Sequence, residues 1–238
     1  MDDDLSFAGR APVCELGPSE LEARHRDVLL RYAELLASCA TVRLTGTRAA
    51  RDLYELHVRD CLASVPFLPA SGRAIDVGSG GGLPGVPWAI CRPELEVVLL
   101  DSVGKKCRAL EEIVGALGLS NVEIVCGRSE DVAKARRETF DLACARAVAS
   151  AGATAELLSP LVRPGGTLLT FKGPKLEGEL AEVGARWGRL GLRAPLIVPY
   201  DMTGEGSSRC LVLWEKRAPC PRAWPRRPGM ASTKGWWL

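Results

Sequence analysis

Ala74-Ile75-Asp76-Val77-Gly78-Ser79-Gly80-Gly81-Gly82-Leu83-Pro84-Gly85 is the stretch that decides the fold. A short apolar run carrying one carboxylate passes straight into a glycine-rich turn. Glycine accepts positive φ and lets a ligand approach the backbone closely. Pro84 suits the first turn of a following helix, whose leading N–H groups have no partner inside that helix. A dinucleotide fold asks for G-x-G-x-x-G; Gly78 and Gly80 fit, but Leu83 occupies the third glycine position. A P-loop asks for G-K-[ST], which the chain lacks.

Moving outward, short apolar runs alternate with helical stretches from Gly72 onward. The runs are Arg73–Val77, Leu95–Leu100, Val122–Val125, Phe140–Ala145, Thr167–Phe171, Leu192–Val198 and Cys210–Trp214. Amphipathic segments at Lys105–Leu117 and Ala151–Leu161 lie between them. Strands alternating with helices predict βαβ units and a parallel sheet. The last two runs are separated only by the Gly/Ser-rich Pro199–Ser208, so that pair is expected to be antiparallel. The expected fold is therefore α/β, a Rossmann-like, mostly parallel sheet with an antiparallel last strand, as in class I methyltransferases.

Upstream, residues 1–17 read as a loose leader. Ser19 and Glu22 form an S-x-x-E capping box ahead of a helix through Leu21, Val28, Leu29, Tyr32, Leu35 and Leu36. A second helix runs from about Arg48 to Val65. The predicted organisation is an N-terminal leader and helical region (1–70), a ligand-binding α/β domain (71–217) and a basic, mobile tail (218–238).

Three acidic or polar positions narrow the ligand. Asp76 precedes the turn, where a carboxylate can orient both the loop and the amino-acid end of S-adenosylmethionine. Asp101 closes the second strand, 23 residues after Gly78, the spacing at which an acidic residue accepts hydrogen bonds from ribose hydroxyls. Ser129-Glu130-Asp131 precedes the fourth strand, where such folds contact adenine. The plain alternatives are local: Asp101 as a cap on the helix from Val103, and Ser129 and Glu130 as caps of their own helix. Taken in order, the set favours adenosylmethionine over NAD.

Composition sets limits. The 238 residues carry a net charge of +2, so any contact with nucleic acid must come from local patches. Nine cysteines are scattered without a C-x-x-C, and His25 and His57 are the only histidines; reduced core cysteines and no metal site are expected. The acidic N-terminus is unlike a signal peptide, and no apolar run is long enough to span a membrane. A cytoplasmic monomer is the expectation.

The chain resembles a known family on His57-Val58-Arg59-Asp60-Cys61-Leu62, the glycine turn Asp76–Gly85, Ala145-Arg146-Ala147, Phe171-Lys172-Gly173 and Pro225-Arg226-Arg227-Pro228-Gly229. That family is RsmG, or GidB, the bacterial small-subunit ribosomal RNA guanine-N7 methyltransferases. The likeness covers roughly residues 20 to 230. It implies S-adenosylmethionine as cofactor, with contacts at Gly78, Leu83, Asp101, Ser102, Val103, Ser129, Glu130 and Arg146, and small-subunit rRNA or a ribosomal particle as partner. Cys61 stands where the family usually has serine, and Trp236-Trp237-Leu238 departs from its usual ending.

No catalytic side chain is assigned, because guanine N7 has a free lone pair and no proton for a base to remove. Arg146 is expected at the end of the fourth strand, with a surface salt bridge as the alternative. Lys172 and Arg209, beside the same sheet edge, are candidates for RNA phosphate. Arg59, Arg226 and Arg227 are further RNA candidates, the last two with Arg222, Lys234, Trp224, Trp236 and Trp237 in a tail that could grip RNA by charge and stacking. His57 reads as packed or RNA-facing. A methyltransferase for a small molecule or protein, or a non-enzymatic nucleotide-binding module, are the competing readings.

Overall fold

The structure, a computed structural model, describes residues 17–39, 49–202 and 209–238. The leader up to residue 16, Arg48 and the end of the Gly/Ser loop lie outside the described residues.

Helix α1 (Pro18–Ser38) starts two residues earlier than the Ser19 box requires. Gly17 is its N-cap, and Glu20, not Glu22, reaches back to accept the Gly17 N–H at 2.8 Å. Ser19 and Glu22 are thus inside the helix. Glu22 is buried and serves packing instead, accepting from Tyr54 Oη at 2.9 Å and Arg59 Nε at 3.0 Å. Helix α2 (residues 50–62) is continuous but widens into a π turn over Tyr54–Val58.

The α/β part then runs β1 (Gly72–Val77), α3 (Gly85–Cys91), β2 (Leu95–Asp101), α4 (Gly104–Leu117), β3 (Val122–Cys126), α5 (Ser129–Ala135), β4 (Phe140–Arg146), α6 (Ala151–Leu158), β5 (Val162–Lys172), α7 (Leu176–Val183), β6 (Leu196–Tyr200), β7 (Arg209–Glu215) and α8 (Met230–Thr233). The seven strands lie in the order β3-β2-β1-β4-β5-β7-β6. β1 to β5 pair in parallel, and β7 inserts between β5 and β6, antiparallel to both. The expected sheet is present. Its β6 begins later than Leu192 because only an isolated bridge to Lys216 forms there.

Strand alternation divides the core. Ala74, Leu99, Leu142, Leu169 and Leu213 point to one face, packed against Tyr32, Val58, Trp88 and Leu110. Ile75, Val98, Ala143, Leu168 and Val212 point to the other, against Ala155, Leu176, Trp187 and Trp236. The N-terminal helices therefore share one core with the sheet.

The tail, expected to be mobile, is anchored on the second face at a few points: Cys220 and Trp236 are buried in that core, and Trp224 and Trp237 pack against it. Trp236 is buried and donates its indole N–H to Gly152 O at 2.7 Å. Trp187, Trp224 and Trp237 surround it edge-on. Arg226 makes a two-pronged ion pair, Nε to Oε1 at 2.9 Å and Nη2 to Oε2 at 2.6 Å, with the fully buried Glu156 of α6.

Candidate functional site

The parallel strands β1, β2 and β4 end at one edge of the sheet, where open α/β sheets hold their ligands. After β1, Gly78 (φ 73°) turns the chain so that its N–H and that of Ser79 donate to Leu100 O, at 2.7 and 3.0 Å. A Cβ at Gly78 would stand 2.8 Å from Val148 Cγ2, so a larger residue cannot replace it without displacement. Gly85 is needed for a different reason: a Cβ there would meet Leu99 Cδ2 at 2.2 Å.

Two carboxylates fix this turn. Asp76 is fully buried; its Oδ2 accepts the Gly85 N–H at 3.0 Å, while its Oδ1 has no hydrogen-bond partner among the described residues. Burial pushes its carboxyl up to about 7, against the pull of the Gly85 bond. The leading N–H of α3 is thus committed to the protein. Asp101, also buried, accepts from Gly80 N–H and Val103 N–H, both at 2.9 Å, with Lys106 Nζ 3.7 Å away. Asp101 is not the cap of α4, as the local alternative had it; Val103 is, and Asp101 holds that cap residue's N–H, while each carboxylate oxygen keeps a second lone pair for a ligand hydroxyl.

Beside Asp101 lies a cavity of about 250 Å³. Gly78, Asp101, Ser102, Ser129 and Glu130 all border it, so five of the sequence-derived cofactor positions converge. Ser129 and Glu130 are the first residues of α5, whose N-cap is Arg128, so neither is the cap. Asp76 and Gly80 support the turn from behind. Leu83 packs into the first core face, and Val103 caps α4; neither borders the cavity.

Residues that sequence reasoning placed elsewhere complete the wall. Gly229, Ala231 and Ser232 of the tail border the cavity, and Gly229 N–H donates to Glu130 Oε1 at 3.1 Å. Pro225–Gly229 belonged to the recognised pattern, which was the available signal; a basic composition pointed to RNA instead.

Arg146 lies outside the cavity wall. It sits with 17% of its side chain exposed, 3.3 Å from Asp60 Oδ2 and 3.2 Å from both His57 O and His57 Nδ1, with its guanidinium over the Phe171 ring. Burial and the Arg146 charge lower the His57 pKa, which favours the neutral ring as acceptor. Asp60 also receives Tyr200 Oη at 2.9 Å and Arg209 Nη1 at 2.6 Å. His57, Asp60, Arg146, Tyr200 and Arg209 therefore form one charged cluster where α2 meets the ends of β4, β6 and β7.

Other RNA candidates are differently placed than expected. Lys172 is spent inside the protein: its ammonium donates to Ala149 O at 2.6 Å and pairs with Glu179 at 2.8 Å, with only 9% of the side chain exposed. Arg226 is held by Glu156, and Arg59 bridges Glu22 and Glu55. Arg227 is exposed, and Arg209 keeps about a third of its side chain, 36%, open to solvent. No cluster of three or more metal-ligating side chains occurs among the described residues.

A Rossmann-like sheet with an antiparallel seventh strand and a nucleotide-sized cavity beside the β1 turn defines a class I methyltransferase fold. Solved structures agree on the fold: a mutant of MtNAS in complex with S-adenosylmethionine matches with a TM-score of 0.53 at 12% identity, over 84% of this chain and 78% of that one. A predicted O-methyltransferase from Agrobacterium tumefaciens matches with a TM-score of 0.51 at 17% identity, over 78% and 81%. The family is resolved by sequence. The model of GidB, rRNA small subunit methyltransferase G, matches residues 25–198, and the chain belongs to that family. A Ribosomal RNA small subunit methyltransferase G from Rubrobacter xylanophilus is 41% identical over 87% of this chain and 82% of its own. One from Deinococcus radiodurans is 36% identical over 96% and 93%.

Proposed function

We propose that this protein transfers a methyl group from S-adenosylmethionine to N7 of a guanine in small-subunit ribosomal RNA. Membership of the GidB family makes it an adenosylmethionine-dependent rRNA methyltransferase. The guanine N7 acceptor is the finer reading. The observation that carries the reading is the convergence of Gly78, Asp101, Ser129 and Glu130 on one cavity at the sheet edge.

The residues present fit the cofactor. Gly78 brings bare backbone to the cavity wall, Asp101 offers acceptor lone pairs at the position suited to ribose hydroxyls, and the unpartnered Asp76 Oδ1 is a buried acceptor beneath the same turn. When bound, S-adenosylmethionine supplies an electrophilic methyl group. The chain's own task is alignment and exclusion of water. N7 carries no proton, so the site needs no general base. Near the sheet edge two guanidiniums, Arg146 and Arg209, share the one carboxylate of Asp60, which leaves a net positive charge there. Within that cluster Arg209, with 36% of its side chain open to solvent, is the candidate for an RNA phosphate.

The test is transfer of labelled methyl to unmethylated small-subunit rRNA, offered both deproteinised and as particle, followed by nucleoside analysis. Label in 7-methylguanosine supports the proposal. Label in another nucleoside, or transfer only to small molecules or protein, overturns it. No helix among the described residues is long and apolar enough to cross a membrane.

A further inference from the structure

The family match ends at residue 198, yet the wall of the cavity does not. Residues 226–236 cross α6 and are pinned at both ends. At the near end, Arg226 binds the fully buried Glu156 through its guanidinium and also donates its backbone N–H to Glu156 Oε1 at 3.2 Å. At the far end, the Trp236 indole donates to Gly152 O, and Gly152 lies so close to Trp237 that a Cβ there would meet its ring at 2.3 Å. Between the pins, the short helix α8 packs on α6, with Ala231 against Ala153 and Leu157. The Gly229 N–H reaches Glu130 Oε1, and Ala231 and Ser232 border the same cavity as Ser129 and Glu130.

Two hydrogen bonds order the lining. Asp101 holds the β1 turn through Gly80 N–H, and the tail meets the start of α5 through Gly229 N–H and Glu130, so the tail lines the cavity beside α5. If Asp101 takes ribose hydroxyls, the next group outward along an adenosyl ligand is the base. On the tail side the lining residues are Gly229, Ala231 and Ser232, none with a side chain larger than a hydroxymethyl group.

We infer that the C-terminal segment Gly229–Ser232 is the outer wall of the adenine subsite, making the tail a cofactor-positioning element rather than an RNA-gripping arm. This rests on the adenosylmethionine reading of the cavity. Ser232 is the specificity-determining position: its size sets whether the base enters. The pins at Arg226 and Trp236 act through it, holding the wall at the correct distance from Glu130.

The experiment uses calorimetric titration of the full chain with two probes, S-adenosylhomocysteine and S-ribosylhomocysteine, which lacks adenine. Wild type is expected to prefer the adenine-bearing probe. Ser232→Trp is expected to lose affinity for S-adenosylhomocysteine by about tenfold or more while its affinity for S-ribosylhomocysteine stays unchanged. Ser232→Ala, which keeps the side chain small, retains wild-type values for both. Equal binding of S-adenosylhomocysteine by Ser232→Trp and wild type overturns the inference. Equal loss of both probes in Ser232→Trp also overturns it, because the wall would then not be specific to the base. A wild type that binds neither probe fails the cofactor reading itself, an outcome distinct from failure of the wall.

Discussion

The backbone N–H of Gly80 and the carboxylate of Asp101 lie 2.9 Å apart, joining the β1 turn to the end of β2 across 21 residues of sequence. One side chain thus shapes the turn and borders the cavity. Asp101→Ala should weaken S-adenosylmethionine and S-adenosylhomocysteine equally, by about 1–3 kcal/mol, since both carry the same ribose. Parallel titrations with the two ligands check this; a loss confined to the methylated form contradicts the ribose assignment.

Asp76 gives a pH signature. Folding raises its pKa from 3.8 to about 7 through burial, so the folded state holds the proton more tightly than the unfolded chain. The stability this affinity brings is complete at low pH and is lost as pH rises from about 4 to about 7, roughly 4 kcal/mol in all as an upper figure. Asp76→Asn keeps an acceptor for the Gly85 N–H and cannot ionise. Urea unfolding should show the variant gaining on wild type across that window, with a constant difference above it. A difference independent of pH would show that Asp76 ionises freely in the folded protein.

The Arg226–Glu156 pair predicts a large stability effect from a nominally basic tail. Arg226→Ala leaves a carboxylate with 1% exposed side chain unpaired in the core. Removal of one partner of such a pair costs about 3–5 kcal/mol. Chemical denaturation should report the loss, and limited proteolysis should show new cleavage after residue 218. A variant as stable and protease-resistant as wild type would mean the tail is not pinned.

The proposed RNA contacts divide by exposure rather than by charge. Arg209→Ala should lower RNA affinity and flatten its salt dependence by roughly one unit of slope. Lys172→Ala should leave that slope unchanged and instead lower stability by about 1–3 kcal/mol, because Ala149 O and Glu179 lose their buried donor. RNA titrations at several salt concentrations separate the two; a flattened slope in Lys172→Ala reverses the assignment.

The contrast between Lys172 and Arg209 shows where sequence reading stops. β1, the glycine turn and Asp101 were legible because their meaning is local: an apolar run, a turn only glycine permits, and a fixed spacing to the next strand end. The partners of Lys172 and Arg226, namely Glu179 and Glu156, are set by packing between distant elements, and a basic residue looks the same in sequence whether paired or solvated. The docked tail was hidden for the same reason, since the surface that receives Trp236 is assembled from Gly152, Trp187 and their neighbours. The misplaced α1 cap is a smaller case. Gly17-Pro18-Ser19-Glu20 offered a cap two residues ahead of Ser19, and the backbone took it.

The central claim is that the cavity bordered by Gly78, Asp101 and Glu130 holds an adenosyl cofactor. Calorimetric titration of the wild-type chain with S-adenosylhomocysteine and, separately, with NAD tests it most directly. The expected result is saturable one-to-one binding of S-adenosylhomocysteine, weakened in Asp101→Ala, with no saturable heat from NAD. Saturable binding of NAD with none of S-adenosylhomocysteine, or S-adenosylhomocysteine binding untouched by Asp101→Ala, would contradict it.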